Sequence, residues 1–216
     1  MTIVEPDTSS LAALLREGSK AEHEAAEGSS FMGELLGGRI NARGYADYLA
    51  RLRRVYETLE RVGRALASDP VAGAVVDPAL ERLAAIDADL AFWGPGRADT
   101  PAADAYVSRL ELVAGDPARF VAHHYTRYLG DLSGGRAIGA IVRREFALGD
   151  GPGAAFYDFA GVPKPKPYKD AYRAALDAMD LSPERRLDVL DEVKVAFGLN
   201  GGLFDELTAN LDAYRR

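Results

Sequence analysis

Residues 120–146 read FVAHHYTRYLGDLSGGRAIGAIVRREF, and this stretch decides how the fold is interpreted. The apolar residues recur with helical spacing, but the pattern is interrupted by Gly130, Gly134, Gly135 and Gly139. A glycine inside a helix costs about 1 kcal/mol relative to alanine, so four cost roughly 4 kcal/mol, a large part of a domain's stability. The sequence therefore indicates that some contact here requires backbone without side chains.

Spacing alone leaves three interpretations of these glycines open. The segment breaks into two helices with a glycine cap, or the two glycine pairs allow close helix packing, or a flat ligand lies against bare backbone. Asp131 and Ser133 favour the third interpretation slightly, because polar side chains among glycines can reach a ligand or an ordered water. Glycines four residues apart are a weak signal, and the segment contains no phosphate-binding loop pattern.

Outward from this stretch, helical periodicity extends along nearly the whole chain, and the alternation typical of strands is scarce. It predicts a single all-α domain of about seven to nine helices over residues 1–216, with residues 1–8 as a flexible N-terminus. Capping residues and prolines mark the expected helix starts. The predicted segments are a first helix from Ser9–Ser10 to about Glu27, a long helix from Asn41 to about Ala67, one from Asp77 to about Trp93, further helices from Thr100, Asp116 and Ser182, and a loop over 161–167.

The first predicted helix carries a charged face that contains a histidine. Arg16, Lys20, His23 and Glu27 lie at i, i+4, i+7 and i+11, which places them on one side of a helix. One interpretation is a solvated face with ion pairs. The other is a ligand histidine whose imidazole N–H is held by Glu27 and whose neighbouring cations face an anionic ligand. Haem, which carries an iron and two propionates, would use both features.

His123 is a rival ligand, because it lies seven residues before Gly130 and eleven before Gly134 and so shares their helical face. At 1.5 Å per residue it is about 10 Å from Gly130 along the axis, which argues against one small site. The chain has three histidines, at 23, 123 and 124, which constrains any site that needs several histidine ligands. A di-iron bundle needs two Glu-x-x-His motifs, and the chain has none.

Composition disfavours several other classes of protein. The net charge is −7 and the pI is near 5.1, so nucleic acid and anionic membranes are poor partners, and positive charge for an anion must be local. The absence of cysteine excludes disulfides, thiolate metal sites, iron–sulfur clusters and cysteine nucleophiles. No apolar run approaches the roughly 20 residues that span a bilayer, and the first residues lack signal-peptide features. We therefore expect a cytoplasmic protein that neither inserts into membranes nor binds nucleic acid.

Five segments match one known family in order: AEHEAAEGSSFM (21–32), DLAFWGP (89–95), VAHHYTRYLGDLSGG (121–135), YKDAYR (168–173) and AFGLNGGLF (196–204). With these segments the chain closely resembles the haem oxygenases, over about residues 11–211. YTRYLGDLSGG is the most specific of the matching motifs. The resemblance, and not the spacing, implies that haem lies between the first helix and a kinked glycine-rich helix.

The resemblance also implies the chemistry of the central residues. It makes His23 the iron ligand, with Glu27 as its partner. It places the kink of the glycine-rich helix at Gly130 and Gly134, close over the haem, and makes Asp131 the anchor of a network of water molecules. Three further residues match that network: Tyr56, Arg127 and Asn200.

Other positions match the edge and the lining of the family's haem pocket. The cations expected near the haem propionates are Arg16, Lys20, Lys169 and Arg173, and Tyr125 lies at the same edge. Met32, Phe197 and Phe204 match apolar lining positions, for which simple core packing is the alternative. His123 and His124 match structural histidines of the family.

The activity that the resemblance implies is cleavage of haem by O₂ and supplied electrons to biliverdin, CO and ferrous iron, mainly at the α-meso carbon. Haem is then both prosthetic group and substrate. The chain has no flavin or nicotinamide fingerprint, so we expect the electrons to come from a ferredoxin or an NAD(P)H-dependent reductase. The alternative is a haem carrier or store, which would keep the features around His23 without needing Asp131 and the glycine-rich helix.

Overall fold

A computed structural model describes residues 10–216, and within that range the chain forms ten α-helices and no β-strand. The all-α prediction is confirmed, while the count exceeds the expected seven to nine. Residues 1–8, predicted to be a flexible N-terminus, lie outside the described residues. The helices are α1 (Leu11–Gly18), α2 (Lys20–Glu27), α3 (Ser30–Leu36), α4 (Ala42–Ala65), α5 (Leu83–Trp93), α6 (Pro101–Val113), α7 (Pro117–Glu145), α8 (Pro165–Asp177), α9 (Pro183–Thr208) and α10 (Leu211–Tyr214).

Side-chain caps set most of the predicted helix starts. In each case a side-chain oxygen accepts a backbone N–H from the first turn, which satisfies a group that has no partner within the helix. Proline follows the cap at α6, α7 and α9, where its missing N–H costs nothing. The capping residues are Ser10, Ser29, Asn41, Thr100, Asp116 and Ser182.

The prediction of one continuous first helix to Glu27 is wrong, because the chain breaks at Ser19 between α1 and α2. The Ser19 hydroxyl donates to the carbonyl of Leu15 at 2.7 Å, a bond that is known to bend helices. Gly18 lies directly against α9, where an added Cβ would come within 2.7 Å of Leu190. The break therefore lies beside a close contact of α1 with α9.

Two other predicted boundaries are wrong. Asp77 caps only a short 3₁₀ turn, Pro78–Leu80, and α5 begins three residues later, at Leu83. The reason is Glu60 of α4, whose carboxylate accepts hydrogen bonds from the backbone N–H groups of Arg82 and Leu83. A residue of another helix thus caps the start of α5. The predicted loop over 161–167 ends early, since α8 begins at Pro165 and a helix tolerates proline in its first turn.

Helix α9 is the element on which the site is assembled, because α1, α2, α3 and α7 all pack against it. Helix α7 is continuous through its four glycines, so the two-helix interpretation is wrong. One hydrophobic core includes residues from Leu11 to Tyr214, while the single-domain assignment of the whole chain stays a prediction. Among residues 10–216, no helix is both long and apolar enough to cross a membrane.

Candidate functional site

The site is a cavity of about 570 Å³ enclosed mainly by α1, α2, α7 and α9, a volume typical of ligand-binding sites. Both α2 and α7 pack on α9, which leaves a cleft between them. The sequence-predicted residues that line the cavity are Arg16, Lys20, His23, Glu27, Met32, Tyr125, Arg127, Gly130, Asp131, Gly134, Arg173, Phe197, Asn200 and Phe204.

His23 lies on the α2 side of the cavity with half of its side chain exposed, at 50%. Its Nε2 atom is 3.5 Å from Oε1 of Glu27, one turn later in the same helix. The ring meets Phe197 of α9 edge to face, with 5.6 Å between centroids. Among the described residues, no group of three or more His, Asp or Glu side chains could hold a metal ion. His23 thus offers an accessible imidazole that a carboxylate and a phenyl ring can orient.

The glycines of α7 divide into two functional pairs. A Cβ added at Gly130 or Gly134 would meet nothing within 4 Å, and both residues line the cavity. A Cβ at Gly135 or Gly139 would lie 3.0 or 2.8 Å from Tyr157. The second pair therefore allows close packing against Tyr157, while the first pair leaves bare backbone facing the cavity, where contact with a flat ligand stays a prediction.

A buried polar network crosses the inner part of the cavity. Tyr56 of α4 donates a short hydrogen bond to Asp131 of α7. Arg127, one turn before Asp131, donates from Nε and Nη2 to the Tyr56 hydroxyl at 3.2 and 3.1 Å, and from Nη1 to Oδ1 of Asn200 at 2.7 Å. Its Nη2 also lies 3.5 Å from Oδ1 of Asp131. The four side chains come from three helices and hold one another in place.

Burial sets the protonation behaviour of this network. It raises the pKa of Asp131 above its usual range, although Arg127 and the hydrogen bond from Tyr56 oppose the shift. Burial also raises the pKa of Tyr56 well above the usual value, so its hydroxyl stays neutral and donates to the carboxylate. A carboxyl whose pKa is raised above its usual range takes up a proton more readily, which suits a group that acts as a general acid or base.

Comparison with known proteins assigns the family. A sequence model described as "Heme oxygenase" matches residues 9–206 of this chain. The chain belongs to the haem oxygenase family. Heme oxygenase 1 of Rattus norvegicus is 39% identical over 209 residues, covering 93% of this chain and 72% of its own length. Heme oxygenase 1 of a Nostoc strain is 35% identical over 210 residues, covering 94% and 88%.

Solved haem oxygenase structures have the same fold. That of heme oxygenase-1 from the cyanobacterium Synechocystis, in complex with heme, matches with a TM-score of 0.89 and 34% identity, covering 94% of this chain and 95% of that one. The heme oxygenase of Leptospira interrogans matches with a TM-score of 0.85 and 34% identity, covering 91% and 99%.

Two predicted residues lie behind or beside the cavity and do not line it. Tyr56 is fully buried and reaches the site only through Asp131 and Arg127. Lys169 donates from Nζ to the hydroxyl of Ser133, a lining residue, at 3.1 Å. Lys169 is therefore an edge residue, and together with Arg16, Lys20 and Arg173 it forms a group that we call the rim cations.

Three of the rim cations are exposed and paired with nearby carboxylates. Arg16 bonds to its neighbour Glu17, Lys20 lies 3.9 Å from Glu24, and Arg173 bonds to Asp170. Their side chains are 75%, 71% and 40% exposed. Exposed ion pairs of this kind contribute about 1 kcal/mol or less to stability. An incoming anionic group can therefore displace the carboxylates from these three cations.

The rival histidines are held in the core. His123 is fully buried, and its Nε2 lies 2.8 Å from Oε1 of Glu192 in α9. His124 shares a 2.8 Å hydrogen bond between Nδ1 and the hydroxyl of Tyr172, and burial lowers its pKa to about 3. Neither lines the cavity, so the interpretation of His123 as a ligand is wrong for this site.

Sequence reasoning missed several lining residues, of which Tyr48 and Tyr157 are the most notable. Tyr48 follows the apolar periodicity of α4, and nothing in that pattern separates a cavity wall from the core. Tyr157 lies in a short 3₁₀ turn, Ala155–Tyr157, far in sequence from the recognised motifs. The other missed lining residues include Thr126, Leu129 and Ile138 of α7.

Proposed function

We propose that this chain binds haem in the cavity between α2 and α7 and cleaves it, with O₂ and supplied electrons, to biliverdin, CO and ferrous iron. Oxidative cleavage of haem is the activity of the family to which the chain belongs. One observation supports this cavity as the site: an accessible histidine, bare helix backbone and a buried carboxylate network all lie at the same cavity. A carrier would need the histidine but not the network.

The donor set fits haem. His23 would ligate the iron through one imidazole nitrogen while Glu27 accepts a hydrogen bond at the other and fixes the ring's orientation, as carboxylates commonly do for metal-bound histidines. The open faces of Gly130 and Gly134 would let α7 lie against the flat ring. Met32, Phe197 and Phe204 would supply apolar contacts. When bound, haem supplies the redox-active iron.

Asp131 would hold and move the proton that the reaction consumes. Its carboxylate accepts from Tyr56, so an ordered water on its cavity side would be oriented by the same group. Arg127 would hold the carboxylate of Asp131 and the hydroxyl of Tyr56 in place, and Asn200 would hold Arg127. Asp131 would thus position a proton, and His23 would ligate the iron.

The rim cations would bind the two haem propionates and so set how the ring is rotated in its plane. We propose cleavage mainly at the α-meso carbon on that basis. The same local positive charge, on a protein of net charge −7, would attract an acidic electron donor such as a ferredoxin or a reductase. The cytoplasm, where such donors occur, is the proposed location.

Iron ligation is tested by His23→Ala, with His123→Gln as the matched control. The His23 variant should lose the native absorption spectrum of the haem complex, and added imidazole should restore it by filling the same position. His123→Gln keeps a hydrogen-bond donor beside Glu192 and should leave the spectrum unchanged. Loss of the native spectrum in the control alone would refute the assignment of His23.

Turnover separates an oxygenase from a carrier. The haem complex is mixed in air with ascorbate or a reductase while its absorption is followed. Ring opening removes the Soret band and yields biliverdin, which we expect. A Soret band that persists after reduction in air would favour the carrier and contradict the proposed function.

A further inference from the structure

A second cavity, of about 430 Å³, lies on the other side of α7 from the cavity described above, and its volume is also in the range of ligand-binding sites. Helix α7 contributes Leu132, Arg136, Ala140 and Arg143, which recur every three or four residues and so share one helix face. Arg136 follows Gly134 by two residues, about 200° around the helix, so the two cavities lie on opposite sides of α7. None of the residues proposed above to bind or cleave haem lines this second cavity.

The other wall of the second cavity is the chain segment that follows the 3₁₀ turn, and two arginines hold it in place. Arg143 bonds to the carboxylate of Asp158. Arg82, which is buried, donates from Nη1 to the Asp158 carbonyl at 2.6 Å, and its guanidinium carbon lies 3.9 Å from the centroid of the Phe159 ring. The wall is therefore fixed by contacts within the protein before any ligand arrives. Its lining residues are Tyr157, Asp158, Phe159, Ala160, Val162, Pro163 and Pro165.

The second cavity carries an excess of positive charge. Arg136 is exposed and makes no ion pair or hydrogen bond with any residue that the structure describes. Asp158 is the one carboxylate among the described lining residues, and Arg143 already neutralises it. Lys164 and Lys166 adjoin the lining prolines, are exposed, and have no ion-pair partner within residues 10–216. On a chain of net charge −7, this local charge favours an anionic ligand.

The remaining lining is apolar and rigid. Leu132 and Val162 are buried side chains, Phe159 is held by the stacked guanidinium, and the two prolines have fixed backbones. Tyr157 lines both cavities and so forms part of a shared wall. A flat apolar body fits such a lining, while the planar guanidinium of Arg136 can grip a carboxylate at two points.

We propose that the second cavity binds a small aromatic carboxylate, with the carboxylate on Arg136 and the ring against Leu132, Phe159 and Val162. The segment over 161–167, whose prolines and lysines have no part in the proposed function, supplies one side of this site. Binding requires neither haem nor His23, so this proposal and the proposed function can fail separately.

Isothermal titration calorimetry of the ligand-free full chain with cinnamate tests the site, and cinnamyl alcohol serves as the neutral analogue. Cinnamate should bind with a dissociation constant of about 1 mM or lower, as expected for a ligand of this size. Arg136→Gln should weaken its binding by about tenfold or more, because a charge-assisted contact is lost, and the alcohol should bind as weakly to the wild type. Cinnamate that does not bind, or that binds no better than the alcohol, would overturn the proposal.

Two control variants remove the same charge elsewhere. Arg144 is 67% exposed and lines neither cavity, so Arg144→Gln should leave cinnamate binding unchanged. Equal weakening by Arg136→Gln and Arg144→Gln would reduce the effect to overall charge and refute the site. Arg173 lines the first cavity, so Arg173→Gln should also have no effect. Weakening by Arg173→Gln in place of Arg136→Gln would put cinnamate in the first cavity and contradict the proposal.

The haem complex provides the second measurement. Because the cavities lie on opposite sides of α7, cinnamate should bind to the haem-loaded chain with the same affinity as to the ligand-free chain. Displacement of cinnamate by haem would refute a separate site. A chain that binds no haem would contradict the proposed function, while the ligand-free titrations would still decide this proposal.

Discussion

Arg173 and Lys20 offer two kinds of positive charge at the edge of the cavity. The guanidinium of Arg173 can grip a carboxylate at two points, while the ammonium of Lys20 is a point charge on a flexible and more exposed stem. If propionate contacts set the rotation of the haem, the two-point contact should dominate.

Arg173→Ala should therefore change the ratio of biliverdin isomers more than Lys20→Ala does, even where turnover survives. Chromatographic separation of the isomers from wild type and both variants measures this effect, and the α isomer should dominate in the wild type. A wild-type product dominated by β or δ isomers would contradict the orientation. An unchanged ratio in Arg173→Ala would remove that residue from the orienting role.

At the residue scale, local spacing predicts some neighbours and misses others. Arg127 and Asp131 are one turn apart, so their proximity follows from helical geometry. Arg127 also contacts Tyr56 and Asn200, which lie 71 and 73 residues away in sequence. No local sequence pattern predicts these contacts, and only the resemblance led us to expect them. The position of Tyr157 beside Gly139 was not expected at all, because it depends on how a loop returns to α7.

At the scale of elements, α7 carries two glycine pairs with opposite consequences for substitution. Gly134→Ala adds a methyl group into open space, so helix propensity should stabilise the ligand-free protein by about 1 kcal/mol. Gly139→Ala puts the same atom 2.8 Å from Tyr157, and the overpacking should cost about 1–3 kcal/mol. Urea unfolding of the two variants measures the contrast.

In the haem complex, a large side chain at Gly134 should be harmful rather than stabilising. Gly134→Leu should fold but impair haem binding and turnover, because its side chain would enter the cavity. Equal destabilisation by Gly134→Ala and Gly139→Ala in the ligand-free protein would contradict the division of the glycines into two pairs.

Sequence periodicity located most elements but not their interruptions. It predicted α4, α6, α7 and α9 because caps and apolar spacing agree there. It missed the break at Ser19 because residues on both sides keep the same helical face. At the break the Ser19 hydroxyl bonds to the carbonyl of Leu15 and Gly18 lies against Leu190 of α9, and apolar periodicity reports neither contact.

At the scale of the whole molecule, a buried ionic cluster joins three helices. Glu192 of α9 accepts from His123 of α7 at 2.8 Å and from Arg109 of α6 at 2.8 and 2.5 Å. Burial alone would raise the pKa of Glu192, but the hydrogen bonds from His123 and Arg109 outweigh it and lower the pKa to about 2. The ionised carboxylate therefore stabilises the folded state.

This cluster predicts a pH dependence of stability. Because the folded pKa lies below the usual 4.5, the unfolded chain takes up the proton first, and the stabilisation is present above about pH 4.5 and lost as the pH falls towards 2. Wild type should be more stable than Glu192→Gln at neutral pH, and the gap should close over that window. Urea unfolding across the pH range measures it, and a gap that does not change with pH would contradict the assignment.

Bulk composition predicted the class of the molecule but not its local charge. The net charge of −7 gives no sign of a positive edge. That edge exists because α1, α2 and α8 bring the rim cations together at one cavity. The sequence could suggest the cations of the first helix, since they share a helical face. The contribution of α8 needed the resemblance.

The most direct test of the account is the biliverdin formed by Asp131→Ala. The variant should bind about one equivalent of haem with ligation by His23 intact, because Asp131 contacts Tyr56 and Arg127 and not the iron-binding side of the cavity. Loss of a positioned proton donor should slow biliverdin formation by about 10²-fold or more. Normal biliverdin formation by a correctly ligated Asp131→Ala complex would contradict the account.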